Sequence, residues 1–166
     1  MGEPAVKGET ATMSSPERAT HRARYEDDFY SWLVEQAGLL RANQLDDLDR
    51  VHVAEELEGL SKSEFAKLQS ALRVLVMHML KWDQQAEHRT RSWVFSIREQ
   101  RRRYHTVLLD NPGLKPRVDE ALARAYPSSR DWAAEETHLP LDEFPEECPY
   151  SWDELLERPF AVDPPK

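Results

Sequence analysis

Six arginines stand between His88 and His105: Arg89, Arg91, Arg98, Arg101, Arg102 and Arg103, against the single acid Glu99. Guanidinium groups gathered on one helix are a pattern that holds phosphates, and RNA is the polymer such a face would suit. That reading rests on Arg89, Arg98, Arg102 and Arg103. Against it stand nine acidic side chains from Glu135 to Glu157, with Asp131 just upstream. An acidic tail beside an Arg-rich helix neutralises it internally, and this blander arrangement is the expected one. Arg98, Arg101 and Arg102 are also spaced to reach one side of the helix, which suits buried ion pairs.

A second group sets histidine near carboxylates. His78 lies beside an apolar stripe, with Glu56 and Glu58 on the preceding helical segment and Glu135 and Glu136 on a later one. A ferritin-like metal site needs Glu-x-x-His at i, i+3 on two helices, and no core helix here carries it. His-Glu-x-x-His is absent as well. The expected role of His78 is a core-edge imidazole bonded to a carboxylate. Cys148 follows Glu147, and neighbouring acids oppose formation of a thiolate, so it reads as a packed small residue. Neither a Gly-rich phosphate loop nor Gly-x-Ser-x-Gly occurs. On these grounds no catalytic residue, metal ligand or cofactor is assigned.

The elements that would position these groups are helical. Phe65, Leu68, Leu72, Leu75, Val76 and Met79 share one side of a helix over Phe65 to Trp82, and Leu80 and Val74 widen it. A helix so apolar around its girth is enclosed by others, and it is too short and too interrupted to span a bilayer. Before it, Phe29, Trp32, Leu33, Gln36, Ala37 and Leu40 mark a helix running to about Ala42, with Asn43 as its stop. Asp46, Asp47 and Asp49 offer N-caps for a second helix over Leu48 to Leu60, whose expected buried stripe is Val53, Ala54, Leu57 and Leu60. Ser61 to Glu64 reads as a short connection into the central helix.

After a polar break from Asp83 to Thr90, a helix over Ser92 to Leu109 turns Trp93, Ile97, Gln100, Tyr104, Val107 and Leu108 inward. Gln100 then needs hydrogen-bond partners. Asp110-Asn111-Pro112-Gly113 stops that helix. A fifth helix starts near Pro116, and Pro127 predicts a kink or two short helices. From about Thr137, Pro140, Pro145, Pro149 and Pro159 prevent long helices, and a tail anchored by apolar residues wraps the domain; Ser151 would cap one turn over Asp153 to Glu157. No strand pattern appears. The prediction is an all-α bundle of about five helices around the central one: residues 1–24 form a disordered arm, and residues 25–162 form one domain.

Composition narrows the functions. The chain has 166 residues and a formal net charge of −9, so it is no general binder of polyanions. Its single cysteine excludes an internal disulfide, which fits a reducing compartment. No apolar run follows the N-terminus, so neither signal peptide nor anchor is expected, and cytoplasm is the default.

The runs YEDDFYSWLVEQAGLLR, VAEELEGLSKSE, LRVLVMHMLKW, RSWVFSIREQR, DNPGLKP, AYPSSRDWAAEETHLP and FPEECPYSWDELL occur in order and resemble the bacterial family called domain of unknown function 29. The resemblance covers about Tyr25 to Phe160. It implies an all-helical fold and no established activity. Ala86, where a proline often stands, and Pro127 depart from the family pattern. The residues that a shared site would draw on are Glu56, Glu58, His78, Trp82, Arg91, Trp93, Gln100, Arg101 and Glu136, a set that also suits a buried hydrogen-bonded network. The expected function is a non-enzymatic protein-interaction or structural module with an unknown protein partner. Self-pairing is left open, nucleic acid is the alternative, and a metal-dependent enzyme using His78 with Glu56 or Glu58 ranks below both. No membrane association is expected.

Overall fold

Residues 24–162 are described by a computed structural model; the expected disorder of residues 1–24 concerns positions that, Arg24 apart, lie outside the described residues. Among the described residues five α-helices follow one another: α1 (Phe29–Arg41), α2 (Arg50–Gln84), α3 (Arg91–Asp110), α4 (Val118–Thr137) and α5 (Trp152–Glu157). Short 3-10 turns link them at Ala86–His88, Pro112–Arg117 and Leu141–Glu143. Among the described residues there is no strand, and the fold is all-α. The chain divides into two compact units, Met1–Ala54 and Glu55–Lys166.

In the first unit, Asp28 caps α1 by accepting from the Ser31 N–H at 3.0 Å. The helix ends as the sequence predicts, with Asn43 in the left-handed region at φ 56°. Its buried residues are Trp32 and Gln36 alone. Leu33 and Leu40, expected on the inner stripe, are 40 % and 48 % exposed.

The expected connection at Ser61 to Glu64 does not exist. Those residues are helical, and α2 runs unbroken over 35 residues. Nothing there forces a break: there is no proline, and Glu58–Lys62 and Glu64–Lys67 pair along the helix. Leu57 and Leu60, expected in a buried stripe, are 63 % and 64 % exposed. A stripe of the right period predicts a face that wants covering, not that something covers it.

In the second unit the predicted central segment holds. Leu68, Leu72, Leu75, Val76, Met79 and Leu80 are buried, and they meet Ile97 of α3, Ala121, Tyr126 and Ala133 of α4, and Phe144, Leu155 and Phe160 of the tail. Thr90 caps α3, accepting from the Trp93 N–H. The helix expected near Pro116 starts at Val118, because Pro112–Arg117 winds as 3-10. It then runs as one helix through Pro127 rather than as two short ones. Pro127 and Ala123, whose carbonyl loses its N–H partner, are both exposed, so solvent is at hand on that side. α5 carries a full capping box between Ser151 and Glu154.

The tail is held through its carbonyls. An irregular, proline-bearing segment bonds few of its own C=O groups, so further donors come from the helices. Arg130 donates to the carbonyls of Leu141 and Phe144, Arg101 to those of Glu154 and Leu155, and Tyr126 to that of Pro145. Arg158 forks onto Asp83 at 2.6 and 2.9 Å, and the Tyr150 hydroxyl donates to the same carboxylate at 2.8 Å.

Candidate functional site

The sequence-predicted polar residues do not form one site. Glu58 and Arg91 are exposed and Glu56 half-buried, each apart from the core of the second unit. His78 and Glu136 do come together there, around a residue the sequence reading passed over. Lys81 of α2 is 5 % exposed, forms an ion pair with Glu136 of α4, and sets its ammonium 4.4 Å from the centre of the Trp93 ring on α3. One side chain thus fastens three helices. His78, one turn before it, donates from Nδ1 to the Val74 carbonyl at 2.9 Å, since a carbonyl can only accept. Burial pushes its imidazole below the ordinary histidine value, and the Lys81 charge adds to that. The expected carboxylate bond of His78 is replaced by this backbone bond.

The arginines of α3 divide by face. Arg101 is half-buried against the tail, and burial lowers its affinity for a proton. Arg89 donates to the Trp82 carbonyl and lies over the Trp82 ring. Arg102 pairs within its own helix, with Glu99. Arg91, Arg98, Arg102 and Arg103 are exposed, as is Phe95 between the first two. Among the described residues no ion pair joins Arg89–Arg103 to the acidic tail; the tail takes up Arg101 through the carbonyl oxygens of Glu154 and Leu155, and the Glu157 charge favours the guanidinium there. Among the described residues none of Arg98, Arg101 and Arg102, whose spacing suits buried ion pairs, forms one; the Arg102–Glu99 pair is exposed. Gln100 is buried as predicted, yet its Oε1 has no hydrogen-bond partner among the described residues.

The first unit builds a cleft of about 470 Å³ lined by Tyr25, Trp32, Gln36, Asp46, Asp49 and His52 among others. Asp49 organises it. Its carboxylate takes the His52 Nδ1 at 2.7 Å, the Trp32 Nε1–H at 3.3 Å and the His52 N–H at 3.3 Å, while its own N–H donates to Gln36 Oε1 at 2.8 Å. The hydrogen bond from His52 holds the Asp49 carboxyl below the usual range. Tyr25 stacks on the His52 ring at 4.2 Å and meets Trp32 edge-on. The sequence offered Asp49 only as one of three possible caps; Trp32 and Gln36 read as core. His52 at i+3 from Asp49 was the signal available.

Over residues 24–161 the chain matches the family model described as Domain of unknown function DUF29. The chain belongs to that family. No curated protein and no solved structure matches it. Membership in DUF29 brings no chemistry, so the chemistry has to be read from the groups just described. Cys148 offers little as a nucleophile, because burial pushes its thiol up. Among the described residues no cluster of three or more His, Cys, Asp or Glu side chains could hold a metal ion, and no helix is long and apolar enough to cross a membrane. The most distinctive surface of this DUF29 chain is apolar: α1 presents Phe29, Tyr30, Leu33, Val34 and Leu40 to solvent, each 40 % to 75 % exposed.

Proposed function

We propose that the chain is a helical protein-interaction module. The observation that carries this reading is the outward apolar face of α1, in a unit that also leaves Val51 66 % exposed. Contiguous exposed apolar residues at helical spacing mark docking surfaces in soluble proteins. The polar constellations support a scaffold role in turn: Lys81, Arg101, Arg130 and Arg158 all fasten chain to chain.

A second reading has its own observation. Arg91, Phe95, Arg98 and Arg102 fall at i, i+4, i+7 and i+11 on the open side of α3, an aromatic set among cations such as single-stranded nucleic acid favours. One experiment separates the two. Tagged protein is used to capture partners from a lysate of its source organism, with and without nuclease, alongside Leu33→Asp and an Arg98→Ala/Arg102→Ala/Arg103→Ala variant. A protein identified by mass spectrometry that survives nuclease and is lost with Leu33→Asp is the expected result. Recovery of nucleic acid alone, lost with the arginine variant, would overturn the interaction reading in favour of the second.

A further inference from the structure

The outward face of α1 has the spacing of a pairing seam. Tyr30, Leu33, Ala37 and Leu40 follow one another at intervals of three, four and three residues, the a/d pattern by which helices interlock. Val34 broadens the seam, and no charged side chain lies on it until Arg41 at its end. Trp32 and Gln36, on the flank beside Leu33 and Leu40, are the side chains α1 buries, while Tyr30, Leu33, Val34 and Leu40 stay 40 % to 75 % exposed, so the seam is surplus to what α1 needs for its own packing.

Charge is laid out along the same helix with a direction. Glu26, Asp27 and Asp28 stand at the N-terminal end, and Arg41 stands in the last turn. Asp28 is occupied as the cap and Asp27 lies 3.5 Å from Arg24, while Glu26 and Arg41 are exposed. Two copies of this helix side by side in the same direction would set acid against acid. Set antiparallel, each Arg41 faces the other copy's acidic end, and the helix dipoles oppose favourably. The seam is self-complementary about a two-fold axis passing between Leu33 and Ala37, which is what an isologous contact requires. The segment before Arg24 offers no rival stripe: apart from Met1, its only large apolar side chains are Val6 and Met13.

We propose that the α1 seam pairs antiparallel with the α1 seam of a second copy of this chain. The inference rests on the interaction-module reading and names the occupant of its surface. A 13-residue helix is about 20 Å long, so the contact lies near the lower limit of stable interfaces and dissociates on dilution.

The test is sedimentation of the purified full chain from about 1 µM to about 300 µM, the span over which so small an interface separates. A monomer–dimer equilibrium is expected. Leu33→Asp should raise its dissociation constant about tenfold or more, with unchanged circular dichroism. Arg41→Glu should weaken it several-fold, and Glu26→Lys added to Arg41→Glu should recover most of that loss, because the swapped charges again face each other. A monomer throughout, a dimer indifferent to Leu33→Asp, or a Glu26→Lys/Arg41→Glu chain no better than Arg41→Glu would overturn the proposal. If the chain stays monomeric yet captures a protein that Leu33→Asp loses, self-pairing fails and the interaction reading stands. If it is monomeric and captures none, both fail.

Discussion

The two units of this chain bury apolar side chains very differently. From Glu55 onward, α2, α3, α4 and the tail enclose a continuous core of leucine, methionine and aromatic residues. Before it, the described residues of the first unit enclose one apolar side chain, Trp32, and leave Phe29, Tyr30, Leu33, Val34, Leu40, Leu45 and Val51 outside. A unit this small cannot offset the entropy of ordering its chain with one buried indole. It compensates partly through polar contacts, since Asp49 alone engages Trp32, Gln36 and His52. The second unit is therefore held by its own core, while the first exposes most of its apolar side chains and, on the proposed reading, would gain stability from what it meets.

The largest effect that would break this comparison lies in the two cores. Leu75→Ala removes a fully buried side chain from the second unit and should cost about 2–5 kcal/mol, read by chemical denaturation. Trp32→Ala should leave that global transition nearly in place while releasing the amides of α1 and of Leu48–Ala54 to fast hydrogen exchange. If Trp32→Ala lowered the global transition as much as Leu75→Ala does, the units would not differ in the way described.

Next in size is the Lys81–Glu136 pair, whose partners are unequally buried. The Lys81 side chain is 6 % exposed and that of Glu136 is 46 % exposed. Removing the carboxylate strands an ammonium in the core, whereas removing the ammonium leaves a carboxylate that water already reaches. Glu136→Ala should therefore cost about 3 kcal/mol, and Lys81→Met, of similar volume, should stay within about 1 kcal/mol of the parent. Denaturation of the two variants side by side decides it; equal losses would mean that the pair, not burial, sets the cost.

These contrasts mark what could be read from the chain beforehand. The central helix was legible because its apolar period is unbroken from Phe65 to Trp82 and every residue on that stripe found a neighbour. Leu57 and Leu60 carry the same period, and periodicity alone does not say whether a neighbour exists. Ser61-Lys62-Ser63-Glu64 has the composition of a cap, yet capping needs the chain to leave helical geometry, and nothing there compels it. Pro127 does not divide its helix in two, since its lost hydrogen bond falls on the exposed side. The candidate site was legible only in part. Glu136 and His78 are neighbours, but Lys81, which binds Glu136 from 55 positions away, carries no local signal. Glu56, Glu58 and Arg91 were grouped with them by their place in the family's motifs, and three-dimensional proximity did not follow.

The smallest effect contrasts two imidazoles. His52 in the first unit is bonded to a carboxylate; His78 in the second is bonded to a carbonyl and partly buried. Because burial holds His78 below its ordinary value, the folded chain binds fewer protons than the unfolded chain just under about pH 6.5. Stability from this site is complete above that value and declines as pH falls towards the lowered one. Glu136 works against the shift and Lys81 with it, so desolvation decides the sign. Asp49 also has a depressed value, but as a carboxyl it keeps its contribution until pH falls below about 3.9. Mild acid should thus weaken the scaffold before it protonates Asp49. Measured between about pH 7 and pH 5, the stability of the parent should fall more steeply than that of His78→Leu, and the His78 ring resonances should titrate below the ordinary histidine midpoint. An unchanged slope in His78→Leu, or a midpoint above the ordinary value, would place the acid-sensitive group elsewhere.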